Sequence, residues 1–376
     1  MTSINPKAMF SRGLAQHEAF CNRVAEVATL THNIQTFTHT LLTSPRRYGK
    51  TSLSFRAIEQ IGWSYAYLDF FMKQDDDEIL NEFYEAVGKL VTKILPPGAK
   101  VLRKIELLFK NLSVSLKLGN LGFEIALMPK TKEAPQEIRT LFESLDALLI
   151  RYNQKVVFFI DEIQAILDAK ICPKIEAGLR WIAQKTKNIS FVFSGSNRHL
   201  IGKIFEDKSR PLYKLCRPMS LTRISPSHYK PFINKFAKKN WGKPLSEEVL
   251  ESIFSHTELH PYYMNIVCAY LFEQKTHPTV TNVFQCWTQV CQEEQASIAK
   301  DVEFLTVKQK KLLLEIAKSQ GLKRPSAKHF VQKADLTPRG SLNAIKILLR
   351  HDLIEKNVVS EICIVDPVLK YWLLLS

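Results

Sequence analysis

The chain has 376 residues, 45% of them hydrophobic and 24% charged, which suits two or three packed domains and excludes wholesale disorder or a fibrous repeat. Its apolar runs, such as Val156–Ile160, fall far short of the roughly 18 residues that a spanning helix needs, so no membrane segment is expected. The formal charge of +15 admits a nucleic-acid partner, but Lys and Arg are spread along the chain with only small knots at Lys235/Lys238/Lys239 and Lys308/Lys310/Lys311, as on a solvated face.

Phe37 to Thr43 is an apolar and β-branched run that stops at Ser44-Pro45, and from Thr51 the pattern resumes at helical spacing, giving strand, loop and helix. A helix start offers phosphates its free N–H groups and partial positive charge. Within Ser44-Pro45-Arg46-Arg47-Tyr48-Gly49-Lys50-Thr51-Ser52, Gly49 lets the backbone approach closely, Lys50 reaches the β- and γ-phosphates, and Thr51 offers a hydroxyl to Mg2+. Ser44 stands where G-x-x-x-x-G-K-[ST] has its first glycine. An ordinary strand-to-helix loop is the alternative.

A second strand is expected over Tyr65–Phe71. Val114, Leu116 and Leu118, then Phe123, Ile125 and Leu127, alternate on either side of Gly119-Asn120-Leu121-Gly122, which predicts an inserted β-hairpin over about residues 112–128, either covering a sheet edge or meeting a partner. The run Lys155–Gln164 reads as a central parallel strand buried on both faces, with Asp161 and Glu162 at its C-terminal tip. Ligands sit at such tips in open α/β sheets. Asp161 suits Mg2+ and Glu162 suits orienting or deprotonating the attacking water, with a simple charge pair at a helix start as the alternative. A third strand, Ile189–Ser194, ends in a polar tip whose Ser194, Ser196 and Asn197 are candidate γ-phosphate sensors or plain turn formers.

From Ser225 to Phe272 the pattern turns helical, with Ser246-Glu247-Glu248 opening one helix of a lid. Residues 303–376 read as a winged helix: Lys310–Lys318 and Ala327–Ala334 form two helices, and Thr337 caps a third whose first residue is Pro338. That third helix is the one suited to a major groove, with Arg339, Asn343, Lys346 and Arg350 as its polar candidates for DNA contact. Winged helices also bind proteins, so either partner stays open.

These residues together resemble the archaeal-type ATPases, P-loop proteins near the AAA+ and STAND classes found in archaea and bacteria. Phe20–Leu30 resembles the family's N-terminal box, Ser44–Leu53 its G-P-R-R-x-G-K-T-S-L loop and Phe159–Gln164 its acidic motif. Phe193–Ser196 resembles its sensor strand and Arg210-Pro211-Leu212-Tyr213 its R-P-F-Y segment. Leu259-His260-Pro261-Tyr262-Tyr263 resembles the G-H-P-Y-Y turn of the lid, and Cys363–Leu373 the closing D-P-x-x-x-x-W-L helix. The resemblance implies ATP or ADP as the nucleotide with Mg2+, Arg23 and Glu26 near the adenine, and Pro261 approaching the nucleotide. It also implies Arg210 as a charge-stabilising finger acting in cis or from a neighbouring subunit; a surface pair with Glu206 or Asp207 is the alternative. Leu259 and Ser44 replace two family glycines, which implies slow turnover rather than lost binding.

Cys286, Cys291 and His277 lack zinc-site spacing, and no Ser/His/Asp elbow is present. The N-terminal residues lack a hydrophobic signal core and the seven cysteines form no C-x-x-C pair, so a cytoplasmic location is expected. The fold expected is α/β: a P-loop, AAA+/STAND-like parallel sheet domain over residues 1–222, a helical lid over 223–300 and a winged helix over 301–376. The function expected is a Mg-ATP-dependent switch with slow hydrolysis coupled to lid and winged-helix movement. A DNA-binding ATPase and a nucleotide-stabilised scaffold without turnover are the alternatives, and the oligomeric state is open.

Overall fold

Continuous apolar runs become central strands, and the less apolar ones become edges. The computed structural model describes residues 5–71, 73, 75–95, 108–109, 113–119, 122–128, 134–319, 321–357 and 360–375. Their contacts divide the chain into two compact units. A sheet unit comprises Val24–Ser44 and Leu53–Leu221; a helical unit comprises Met1–Arg23, Pro45–Ser52 and Thr222–Ser376. The phosphate-loop residues from Pro45 to Ser52 thus group with the helical unit.

In the sheet unit the strands in chain order are β1 (Thr40–Thr43), β2 (Ser64–Asp69), β3 (Ser113–Gly119), β4 (Gly122–Met128), β5 (Val156–Asp161), β6 (Ile189–Gly195) and β7 (Arg217–Ser220). Five of them form one sheet in the order β2-β5-β6-β1-β7, parallel at every pairing. Parallel strands need crossover helices, which cover both faces and explain why β5 and β6 are buried along their whole length. Phe158 packs against Phe142 at 5.1 Å on one face, and Phe159 against Phe55 at 5.5 Å on the other. Each fully buried side chain of this size contributes about 1.5–3 kcal/mol. β3 and β4 pair antiparallel from Ser113↔Met128 to Gly119↔Gly122 as the expected hairpin; its turn residues Asn120 and Leu121 lie outside the described residues.

Two strand boundaries differ from the sequence expectation by more than one residue. β1 starts at Thr40, because Phe37 takes φ +55° and closes the helix Val24–Gln35, with the Thr38 N–H donating to the Asn33 carbonyl at 2.8 Å. β2 ends at Asp69, whose carboxylate accepts the Phe71 N–H at 3.0 Å and turns the chain.

In the helical unit, whose lid-region helices are Pro226–Trp241, Glu247–Thr257 and Pro261–Phe272, Phe10 is buried among Phe232, Phe236 and Phe272 and anchors the N-terminal segment to the first and third of them. Ser246 caps the second of these by accepting the Val249 N–H. The long helix Val280–Glu303 follows, opened by a capping box between Thr279 and Asn282. Then come the helices Val307–Lys318, Lys328–Lys333 and Pro338–Arg350, strands β8 (Ile354–Lys356) and β9 (Ile362–Ile364), and the closing helix Pro367–Leu375. Thr337 accepts the Gly340 N–H at 3.0 Å with Pro338 at the first helical position, as the sequence predicts. β8 and β9 pair antiparallel, and Leu322 bridges Ile362 to extend the wing. Among the described residues, no helix is long and apolar enough to cross a membrane.

Candidate functional site

In the sheet unit the acidic pair stands at the tip of β5. Asp161 is buried and accepts hydrogen bonds from the Ser194 hydroxyl on neighbouring β6 and from the Glu162 N–H at 3.1 Å. Glu162 adopts φ +50° and ψ 43°, a left-handed conformation that costs a non-glycine residue about 1–2 kcal/mol. Its carboxylate accepts the Ser196 N–H at 3.2 Å, the Ser196 hydroxyl at 2.8 Å and the Gln164 amide. These charge-assisted bonds repay the strain and fix the carboxylate at the mouth of β6. The expected group of Asp161, Glu162, Ser194 and Ser196 is therefore brought together.

The Asn197 side chain accepts the Leu200 N–H at 2.9 Å and caps the helix Arg198–Phe205. Gly195 is required by a close approach: a Cβ there would lie 2.2 Å from Gln164 Oε1 and 2.6 Å from Ile201 Cδ1. At the tip of β2, Asp69 pairs in register with Asp161. Burial, with Asp161 and Asp69 nearby, pushes the Tyr67 phenol well above its usual range.

The Arg210 guanidinium pairs with neither Glu206 nor Asp207, although the Arg210 backbone N–H donates to the Asp207 carbonyl at 3.1 Å, and hydrogen bonds from Ser209 together with the Arg210 charge lower the Asp207 pKa. The guanidinium pairs with Glu176, a carboxylate with no solvent exposure, and donates to Cys172 Sγ at 3.1 Å. Burial raises the Glu176 pKa, and Cys172 and Arg210 oppose that rise. Asp207 instead accepts the Ser209 N–H and hydroxyl in a local turn. Arg180 donates to the Pro211 carbonyl at 2.7 Å and the Tyr213 carbonyl at 3.0 Å, so the Arg210–Tyr213 segment is held from both sides.

In the helical unit the phosphate loop alternates conformation: Arg47 at φ +63° and Gly49 at φ +89° flank Tyr48, and the helix begins at Lys50. Such alternation turns successive N–H groups toward one side, which is how a backbone nest for anions forms. Lys50 is buried and donates to the Pro45 carbonyl at 3.2 Å. Arg23 is buried and donates to the Thr222 carbonyl at 2.6 Å and the Tyr48 carbonyl at 3.4 Å, which ties the N-terminal box to the loop. Ser52 accepts the Ala15 N–H at 3.0 Å. Pro45 is buried, Arg46 exposed and Thr51 half-buried; Ser44, on the sheet-unit side of the chain, is fully buried and is not among the described residues with positive φ.

Arg47 lies over the Tyr262 ring at 4.0 Å and pairs with Glu294 at 3.4 Å. Pro261 is the first residue of its helix, preceded by Leu259 at φ +60° and by His260, whose ring sits 4.9 Å from that of Tyr48. Burial, helped by Arg223 and Arg47, lowers the His260 pKa to about 3. The Tyr48 phenol is buried and its pKa is pushed up to about 12. On the third winged-helix helix, Arg339, Asn343, Lys346 and Arg350 are all exposed along one stripe that also carries Leu342.

A family profile described as "Probable winged helix domain" matches residues 299–375, and no curated protein matches the chain. A Walker-type ATPase of Pyrococcus abyssi has a similar structure, with a TM-score of 0.71 at 16% identity over 97% of this chain and 99% of that one. The ORC2 protein of Aeropyrum pernix, in ADPNP–ADP complexes, gives 0.61 at 13% identity over 98% and 96%. The ORC1 protein of the same organism, in complex with DNA, gives 0.50 at 12% over 98% and 96%. With its parallel five-stranded sheet, its phosphate loop at a helix start and its winged helix, the chain has the fold of the archaeal, Walker-type P-loop ATPases.

Proposed function

We propose that the chain binds Mg2+-ATP at Ser44–Ser52 and acts as a nucleotide-dependent switch in the cytoplasm, hydrolysing slowly. The observation that carries this reading is the pair of interlocked tips: Asp161 with Ser194, and Glu162 with Ser196, at adjacent parallel strands of a sheet whose next strand, β1, leads into the loop. The Thr51 hydroxyl and Asp161 carboxylate are hard oxygen donors of the kind Mg2+ takes alongside substrate phosphates, and the ion would neutralise charge on them. Lys50 exchanges its Pro45 carbonyl for phosphate oxygens, while the N–H groups around Gly49 bind the remainder. Arg23 holds the Tyr48 carbonyl and so fixes the base-side wall of the loop.

Glu162 orients the attacking water and accepts its proton. Ser196 and Gln164 both engage its Oε2, which holds the carboxylate in place and leaves Oε1 to face the water. The anchoring of Arg210 by buried Glu176 favours a structural role over a finger, because leaving would strand a buried carboxylate. The working division is a nucleotide domain over 1–222, a lid over 223–300 and a winged helix over 301–376. Calorimetric titration with Mg2+-ATP tests the reading: wild type binds and Lys50→Ala does not, and equal affinity in that variant overturns it. Glu162→Gln should abolish phosphate release while binding persists; release at the wild-type rate removes Glu162 from the chemistry.

A DNA-binding ATPase is the second reading, favoured by the exposed stripe Arg339–Leu342–Asn343–Lys346–Arg350 and by the likeness to an ORC1 protein solved with DNA. It requires duplex binding that weakens steeply with salt and with Arg339→Ala and Lys346→Ala, and absence of binding at low salt sinks it.

A further inference from the structure

Loop residues ordinarily lie on the surface, yet Tyr48, between two exposed left-handed residues of the phosphate loop, buries its whole side chain. Its hydroxyl accepts from Arg223 Nε at 3.1 Å and donates to Glu355 Oε1 of β8 at 3.4 Å. Arg223 spends its other donors on two more segments. Nη1 donates to the Glu258 carbonyl at 2.7 Å and to its carboxylate at 3.0 Å, and Nη2 donates to the Val365 carbonyl at 2.9 Å. One planar guanidinium therefore meets the phosphate loop, the lid turn and the chain just after β9. Lysine could not make this fork.

Two of the segments that Arg223 holds, the loop around Tyr48 and the turn at Glu258, carry left-handed residues, and the third is tied down by Asp366. Glu258 and Leu259 are consecutive non-glycine residues at φ +48° and +60°, directly before His260-Pro261. Lys370 of the closing helix pairs with Glu258 at 2.5 Å from the other side. Tyr263 donates to Asp366 at 2.6 Å, and Asp366 in turn accepts the Val368 and Leu369 N–H groups. The simple explanation is that Arg223 only satisfies buried polar atoms. That explanation accounts for the bonds but not for their reach, since the partners of this one side chain lie 175, 35 and 142 residues away in the chain.

We propose that Arg223 is a positioning residue that reads the phosphate loop through the Tyr48 hydroxyl and passes its state to the lid turn and the wing, so that nucleotide binding tightens β8 and β9. This rests on the nucleotide-binding reading above. A loop that closes on phosphates moves the Tyr48 backbone, and the hydroxyl carries that movement to Arg223 and Glu355. The loop and the wing thereby share one equilibrium, and coupling of this kind is typically worth about 5–150-fold in affinity.

The test uses the full-length chain with Mg2+ and the non-hydrolysable analogue AMPPNP as probe. Calorimetry gives affinity, and hydrogen exchange gives protection of the β8 and β9 amides with and without the analogue. In wild type the analogue slows wing exchange severalfold. In Tyr48→Phe, Glu355→Gln and Arg223→Gln the analogue no longer changes wing exchange, and Arg223→Lys does not restore the response. Affinity in Arg223→Gln falls roughly tenfold. A purely structural role would lower wing protection equally with and without analogue and leave the difference intact, which overturns the proposal. Analogue binding in wild type with no change in wing exchange also overturns it and leaves the nucleotide reading standing. Absence of analogue binding in wild type removes the nucleotide reading and this proposal together.

Discussion

Replacing Gly195 with alanine places a Cβ 2.2 Å from Gln164 Oε1, 2.6 Å from Ile201 Cδ1 and 3.0 Å from Ile201 Cγ1. Ile201 is buried in the sheet-unit core and has little room to retreat, so part of the strain stays in the packing. Overpacking of this kind costs about 1–3 kcal/mol. Gln164 is the more movable obstacle, but moving it breaks its bond to the Glu162 carboxylate, and a hydrogen bond to a charged group is worth about 1.5–3 kcal/mol. The expected loss is about 2–4 kcal/mol, or roughly 4–16 °C in the Tm of a unit this size. Urea and thermal unfolding of the nucleotide-free chain measure it. Gln164→Ala in the Gly195→Ala background should recover part of the loss, a coupling of about 0.5–3 kcal/mol in a double-mutant cycle. A Tm within about one degree of wild type for Gly195→Ala, or strictly additive losses in the cycle, refutes the reasoning.

Arg210→Ala should destabilise the nucleotide-free chain by about 3–5 kcal/mol, because Glu176 is left charged and buried; unchanged unfolding with lost ATP turnover would instead restore the finger role. Phe10→Ala should cost about 3–5 kcal/mol and open the N-terminal segment to proteolysis, since the ring packs 4.8–5.9 Å from three phenylalanines; unaltered protease resistance contradicts the anchor. His260 has its folded pKa near 3 against an unfolded value of 6.5. The unfolded chain therefore binds the extra proton between those values, so stability falls as pH drops from about 6.5 toward 3, by up to about 1.4 kcal/mol per pH unit. His260→Gln should flatten that part of the profile, and an unchanged slope would assign it to other groups.

The central strands were legible because β5 and β6 are covered on both faces and so carry unbroken apolar runs. β7 was not, because Arg217–Ser220 is a largely exposed edge containing a proline, and only pairing with β1 makes it a strand. Asp161 and Glu162 announce themselves at a strand tip, whereas Gln164 reads as an ordinary residue until its amide is seen on Glu162. Gly195 gives no sequence signal for Gln164, because the need for a glycine there is steric and set by residues on other segments. The partner of Arg210 was illegible for the same reason: Glu206 and Asp207 are near in sequence, but Glu176, 34 residues away, is where the fold puts the counter-charge. Phe10 sits in a short segment with no periodicity, and three rings from the helices Pro226–Trp241 and Pro261–Phe272 decide its place.

The two absent glycines separate into different physical cases. Ser44 is buried and is not among the described residues with positive φ, so its side chain meets no backbone penalty and its cost is limited to volume. Leu259 does hold φ +60°, a conformation that costs a non-glycine residue about 1–2 kcal/mol. Glu258 holds φ +48° just before it, and its carboxylate lies between Arg223 at 3.0 Å and Lys370 at 2.5 Å. The turn that a glycine would form freely is here formed by two opposed cations gripping one carboxylate. Leu259→Gly should then stabilise the helical unit in unfolding measurements and reduce its dependence on Arg223 and Lys370. If Leu259→Gly instead destabilises the chain, or leaves the cost of Lys370→Ala unchanged, the ion-pair grip is not what holds the turn.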